Sequence, residues 1–149
     1  MKSSIIRIVL PNWTCNDIDY TIFDFSRFTR VEEIVIGDNS FCSVRTFRID
    51  GLNRLKTLKI GINSFTQQKE YHFDKEKTTN TSKSFHILNC ESLELIQIGE
   101  YSFSDFAGDF ELKNLPQLQS IQIGTIRSNS FNFYSNSFVI RGIDMMMNI

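Results

Sequence analysis

The chain has 149 residues, a formal net charge of −1 and 41% hydrophobic residues. That length is one domain, or part of one, and that hydrophobic content argues against bulk disorder. No basic run offers a contact for nucleic acid or an anionic membrane, and no apolar run approaches the roughly 20 residues of a membrane-spanning helix.

Residues 1–12 read MKSSIIRIVLPN. Arg7 interrupts the short apolar run, which is too brief for a signal-peptide core. Ile5, Ile8 and Leu10 instead begin a spacing that recurs, so this stretch is expected to be the first coil of a repeat rather than a removed leader. The leading apolar position is Ile5, Val31, Leu55, Leu93 and Leu118; three residues on stand Ile8, Ile34, Leu58, Ile96 and Ile121; two further on stand Leu10, Ile36, Ile60, Ile98 and Ile123. Gly37, Gly61, Gly99 and Gly124 follow in the last four copies, then the pairs Ser40-Phe41, Ser64-Phe65, Ser102-Phe103 and Ser130-Phe131. The second half of each copy has Phe23, Phe47, Phe85, Phe110 and Phe138, each two residues before Phe25, Ile49, Ile87, Leu112 and Ile140.

Both halves contain period-2 alternations, so each copy predicts two short strands with apolar side chains on one face. No window carries a helical stripe of useful length. A single coil cannot bury its apolar face alone, so the copies must stack. The expected fold is a mainly β repeat solenoid over 1–149, with coils starting near 5, 31, 55, 93 and 118, about two short parallel strands per coil, and little or no helix. The Gly column predicts turns that need positive φ. The Ser column predicts hydrogen bonds to turn backbone. The Phe columns predict rings stacked inside the coil, which accounts for 14 phenylalanines without an aromatic binding site.

Coil one is the least regular and coil two the cleanest. Coil three is interrupted at 67–84, QQKEYHFDKEKTTNTSKS, a polar stretch that predicts a solvated loop with Tyr71, His72 and Phe73 as its sticky tip. Coils four and five return to register, and Met146 and Ile149 are spaced like the start of a sixth copy. The chain thus reads as truncated within a repeat, with an uncapped C-terminal edge formed by Phe138, Ile140, Ile143 and Met146 that invites self-association.

Chemistry is sparse. His72 and His86 are the only histidines. Cys90 occupies a core column and reads as a small buried hydrophobe, so its spacing of four from His86 does not make a metal site. The glycines are spread one per coil, unlike a phosphate-cradling loop. The expectation is therefore no enzyme, no metal and no cofactor. Cys15, Cys42 and Cys90 form no disulfide framework, which favours a cytoplasmic, reducing compartment, with the cell surface as the alternative. The sequons at Asn12 and Asn80 would matter only on a secretion route.

Two outward faces could bind a protein partner. The first strand presents Val9, Val35, Lys59, Gln97 and Gln122, flanked by Glu33, Thr57, Leu95 and Ser120. The second presents Asp24, Arg48, His86, Glu111 and Val139, with an inter-coil pair expected between Asp24 and Arg48. The first ladder is the candidate partner-binding surface if it lines the concave side. The spacing alone leaves open which strand that is.

The spacing L-x-x-L-x-L-x-x-N-x-L, with Asn39 and Asn63 at its Asn position, resembles the leucine-rich repeat superfamily across nearly the whole chain. Ile36-Gly37-Asp38-Asn39-Ser40-Phe41 is similar to the I-G-x-x-A-F of the BspA-like subgroup, with Ser for Ala. The Cys column of that subgroup is absent here, and the F-x-I strand is extra. The resemblance implies a non-enzymatic interaction scaffold, or alternatively an adhesive or structural surface protein, and carries over no catalytic residues.

Overall fold

Alternation makes the strands. In Glu33–Ile36 the side chains of Ile34 and Ile36 are buried while those of Glu33 and Val35 are partly exposed, and the same order repeats in Thr57–Ile60, Leu95–Ile98 and Ser120–Ile123. The computed structural model describes residues 4–67, 81–125, 130–133, 139–141 and 146–148. Among these the secondary structure is all strand: β1 Arg7–Leu10, β2 Ile22–Asp24, β3 Glu33–Ile36, β4 Thr46–Asp50, β5 Thr57–Ile60, β6 Ser84–Leu88, β7 Leu95–Ile98, β8 Phe110–Lys113, β9 Ser120–Ile123, β10 Val139–Arg141 and β11 Met146–Asn148.

Odd and even strands segregate. The first halves of the repeats form a six-stranded sheet in the order β1-β3-β5-β7-β9-β11, and the second halves a five-stranded sheet in the order β10-β8-β6-β4-β2. Every pairing is parallel, and the columns of the sequence meet in register: Ile8 opposes Ile34, Ile34 opposes Leu58, Leu58 opposes Ile96, and Ile96 opposes Ile121. In the second sheet Phe23, Phe47, Phe85 and Phe110 align the same way. The sheet pairing sets Met147, not Ile149, opposite Ile121, so β11 lies two residues out of the register that apolar spacing suggests.

The core is organised by two rows of phenylalanine. Phe23, Phe47, Phe85 and Phe110 stack at 4.7, 4.8 and 5.0 Å with ring planes within 9°. Phe41, Phe65, Phe103 and Phe133 stack at 4.9, 4.7 and 5.2 Å, within 7°. The rows meet edge to face, as where Phe47 contacts Phe65 at 89° and Phe103 at 85°. Offset stacks along a row and edge contacts between rows both satisfy the ring quadrupole, at about 0.5–1.5 kcal/mol per pair beyond burial.

The turn after each odd strand is held between repeats. Ser64 Oγ accepts the N–H of Ser40 and donates to the carbonyl of Gly37; Ser102 Oγ likewise accepts from Ser64 N and donates to Gly61 O. The Ser column does bond turn backbone, but that of the preceding repeat. Two residues of each turn take the left-handed conformation: Asn39 and Phe41, Asn63 and Phe65, Tyr101 and Phe103, with φ between 55° and 62°. Their amides point opposite ways along the stack. Asn39 N donates forward to Ile62 O, while Phe41 N donates back to Thr14 O.

The glycine expectation fails in the same turns. Gly37, Gly61 and Gly99 do not have positive φ; among the column only Gly124 does, at 67°. They are glycine because adjacent turns touch. A Cβ on Gly61 would lie 2.2 Å from Asp38 Oδ1, and one on Gly99 2.5 Å from the carbonyl carbon of Gly61. The fifth copy also departs from its sequence alignment. Phe133, not Phe131, stacks on Phe103, and Asn132 Nδ2 donates to Gly99 O at 2.7 Å in the place of a serine hydroxyl. The longer segment after Gly124 delays the turn by two residues, and Ser130 Oγ instead accepts from Thr125 N.

The loop at 67–84 is narrower than its composition suggests. Ser84 opens β6, and Lys83 is buried, its Nζ 2.6 Å from Asp105 Oδ2. Both side chains are under 5% exposed, at 3% and 4%. Gln67 N also reaches Asp105 Oδ2, at 3.3 Å. Tyr71, His72 and Phe73 lie outside the described residues.

Candidate functional site

The strand pairing assembles the predicted binding residues into two rows on the outer face of the first sheet. Glu33, Thr57, Leu95 and Ser120 align residue for residue, and Val35, Lys59, Gln97 and Gln122 form the parallel row beside them. All eight are partly exposed while their strand neighbours are buried. A groove of about 360 Å³ runs along the second row. Val35, Lys59, Gln97 and Gln122 line it, with Glu100 and Thr125 among the residues at its end.

The groove has a mostly apolar lining, and its polar side chains are only partly self-satisfied. Gln97 Nε2 approaches Gln122 Oε1 at 3.4 Å, and Thr125 Oγ1 donates to Glu100 Oε1 at 2.6 Å. Glu33 is ion-paired with Arg7 of β1. Among the described residues Lys59 has no ion-pair partner. An unpaired ammonium beside two amides gives the groove donors for carbonyl or carboxylate oxygens of a partner.

The outer face of the second sheet is charged but closed on itself. Asp24, Arg48, His86, Glu111 and Val139 align by register. The expected Asp24–Arg48 pair does not form: Arg48 Nη2 bonds Asp50 Oδ2 at 2.6 Å, two residues along its own strand and on the same face. Asp24 accepts from Ser26 N at 2.9 Å, and that bond, more than Arg48, holds its carboxyl below the usual range. His86 Nδ1 lies 3.7 Å from Glu111 Oε1.

Three features escaped the sequence reading. Asn114 Nδ2 donates to Asn89 Oδ1 and Asn89 Nδ2 to Asp50 Oδ1, a ladder where β8, β6 and β4 end. It floors a second groove, lined by Gly51, Asn53, Asn89, Glu91, Asn114 and Pro116. The recurrence of Asn89 and Asn114 just after F-x-I and F-x-L could have signalled it. The buried Lys83–Asp105 pair had no such signal, because its partners lie in different repeats. The third is an apolar N-terminal edge, where Ile6, Val9, Trp13 and Ile22 are exposed. Cys90 is buried as its column implies, and burial pushes its thiol up to about 11. Among the described residues no three His, Cys, Asp or Glu side chains cluster to hold a metal ion, and no helix is long and apolar enough to cross a membrane.

The described residues are strand-rich, two sheets of stacked parallel strands, an arrangement consistent with a repeat-like β fold. No family model, no curated protein and no solved structure matches the chain.

Proposed function

We propose that the chain is a leucine-rich-repeat-like solenoid, of the BspA-like kind, that serves as a non-enzymatic protein-interaction scaffold. Its partner contacts the outer face of the first sheet through Val35, Lys59, Gln97 and Gln122, with Glu33, Thr57, Leu95 and Ser120 alongside. The observation that carries this reading is the groove along the second row, with the unpaired Lys59 inside it. The second sheet's face supports it by contrast, since Arg48 and Asp24 are committed to contacts within the chain. The residue-for-residue register of β3, β5, β7 and β9 gives an extended surface suited to an extended partner segment rather than to a small molecule.

Site-specific photo-crosslinking in cells tests the reading. A photoreactive residue at Gln97 or Gln122 gives a discrete partner adduct, one at Glu111 does not, and Lys59→Glu abolishes the adduct. Equal adducts from positions 97 and 111, or adducts indifferent to Lys59→Glu, reject it.

A further inference from the structure

Charge on the outer face of the first sheet is nearly all taken up within the chain. Along its two rows Glu33 is ion-paired with Arg7, and apart from Lys59 the other positions carry no charge. Lys59 is thus the one cation of these rows that no described acid takes up. The amides beside it add donors. Gln97 Nε2 gives one hydrogen to Gln122 Oε1, and among the described residues Gln122 Nε2 keeps both of its own. An apolar contact stands next to the cation. Ile62, three residues on in the same repeat, occupies the place where neighbouring repeats carry Asp38, Glu100 and Thr125. It is 41% exposed and lines the groove together with Lys59. Glu100 lines the groove as well, and its Oε1 accepts from Thr125 Oγ1. One uncommitted ammonium, one exposed aliphatic side chain and one carboxylate therefore share a single groove.

We propose that the groove takes an extended peptide segment with a single carboxylate side chain on Lys59 and an aliphatic side chain, two residues away, on Ile62. This rests on the first sheet's outer face being the interaction face. Charge sets the sign: an ammonium flanked by amide donors selects a carboxylate and opposes Lys or Arg. Glu100 limits the number. A run of acids, or a nucleic-acid backbone, would set further negative charge beside that carboxylate, whereas a single acid does not. Chain geometry sets the spacing. Three residues separate Lys59 from Ile62, which is at most about 10 Å between Cα atoms. Alternate side chains of an extended segment leave one face about 7 Å apart, and the long Lys59 side chain closes the difference. Residues i and i+2 of the partner therefore meet both contacts. Burial of the aliphatic side chain against Ile62 supplies affinity. The carboxylate supplies selectivity, since exposed ion pairs add little affinity of their own.

Peptide display tests it. Random peptides displayed on phage are selected in parallel on the full chain, on Lys59→Glu and on Ile62→Ser. Neither side chain belongs to the core, so both variants melt near the parent; Lys59→Gln and Ile62→Thr replace any that does not. The parent enriches peptides with Asp or Glu two residues from Leu, Ile or Val. Lys59→Glu exchanges the enriched acid for Lys or Arg and keeps the aliphatic residue, whereas Ile62→Ser keeps the acid and loses the aliphatic one. The leading parent peptide, synthesised, binds Lys59→Glu about ten-fold more weakly and displaces the adduct formed through a photoreactive residue at Gln97. Parent peptides with no fixed acid, with several acids in a row, or with an acid that survives Lys59→Glu overturn the proposal, as does failure to enrich any peptide. An adduct at Gln97 that the acidic peptide leaves in place overturns the proposal and keeps the interaction face. Absence of the adduct rejects the face itself, and the proposal with it.

Discussion

Gly51 and Gly61 both follow strands, and they are glycine for opposite reasons. Gly51 has φ of 74° with open space around its Cα, and Asn89 and Asn114 hold the equivalent place at 54°. Gly61 has no such φ but meets Asp38 at once if given a Cβ. Asn tolerates the left-handed region, whereas overpacking against a neighbouring backbone costs about 1–3 kcal/mol. Gly51→Asn should therefore change stability by about 0.5 kcal/mol or less, and Gly61→Asn should lower it by about 2 kcal/mol or more, measured by urea unfolding. The sequence made the glycine column visible but not its cause, because spacing reveals that a position must be small without revealing what stands opposite. Cys90 gives the pH counterpart. Its thiol is raised by burial from 9.0 to about 11, so the native state keeps a proton that the unfolded chain releases. Stability is intact below pH 9 and falls as pH rises between about 9 and 11, by roughly 3 kcal/mol at most, since each unit is worth about 1.4 kcal/mol. Cys90→Val should remove that part of the alkaline loss in melting experiments run against the parent.

At the scale of elements, the boundary of the third repeat shows what composition hides. A run rich in Lys, Thr and Ser reads as solvated, and Lys83 is one more lysine in it. Its burial depends on Asp105, one repeat later, which no local pattern announces. A buried pair broken on one side costs about 3–5 kcal/mol, while replacing both partners by apolar residues is often neutral. Asp105→Asn should thus destabilise severely, and Lys83→Met with Asp105→Leu should recover most of the loss in thermal melts. Deletions distinguish the edges in the same way. Removing 68–80 with a short linker keeps the melting temperature, whereas removing 67–84 takes Lys83 and the first residue of β6 and lowers it sharply. The strands themselves were legible, since alternation, column spacing and buried faces all point one way. The candidate ladder was legible too, because outward positions follow from inward ones. The grooves were not read from it, because their walls also take in residues after the strands, such as Ile62, Glu100 and Thr125 in the first and Asn53, Glu91 and Pro116 in the second, which strand alternation does not place.

At the scale of the molecule, the all-parallel pairing dictates how the chain must find its fold. Parallel neighbours cannot be joined by a tight hairpin. Ile8 and Ile34 are 26 residues apart, Ile34 and Leu58 24, Leu58 and Ile96 38, Ile96 and Ile121 25, and no shorter strand pairing exists within either described sheet. Each step of assembly closes a long loop before any Phe ring finds its stacking partner, so folding should be slow for a chain of this size. The cost is uneven. Closure entropy grows as 1.5 RT ln n, so the 38-residue joint is about 0.4 kcal/mol harder to close than a 25-residue one. Excising 68–80 should speed refolding about two-fold in stopped-flow experiments and leave the unfolding rate unchanged. A change confined to unfolding would mean that β5 and β7 meet only after the rate-limiting step. A gain of about two-fold in refolding would instead mark the joint carrying the insertion as the pacing event of folding.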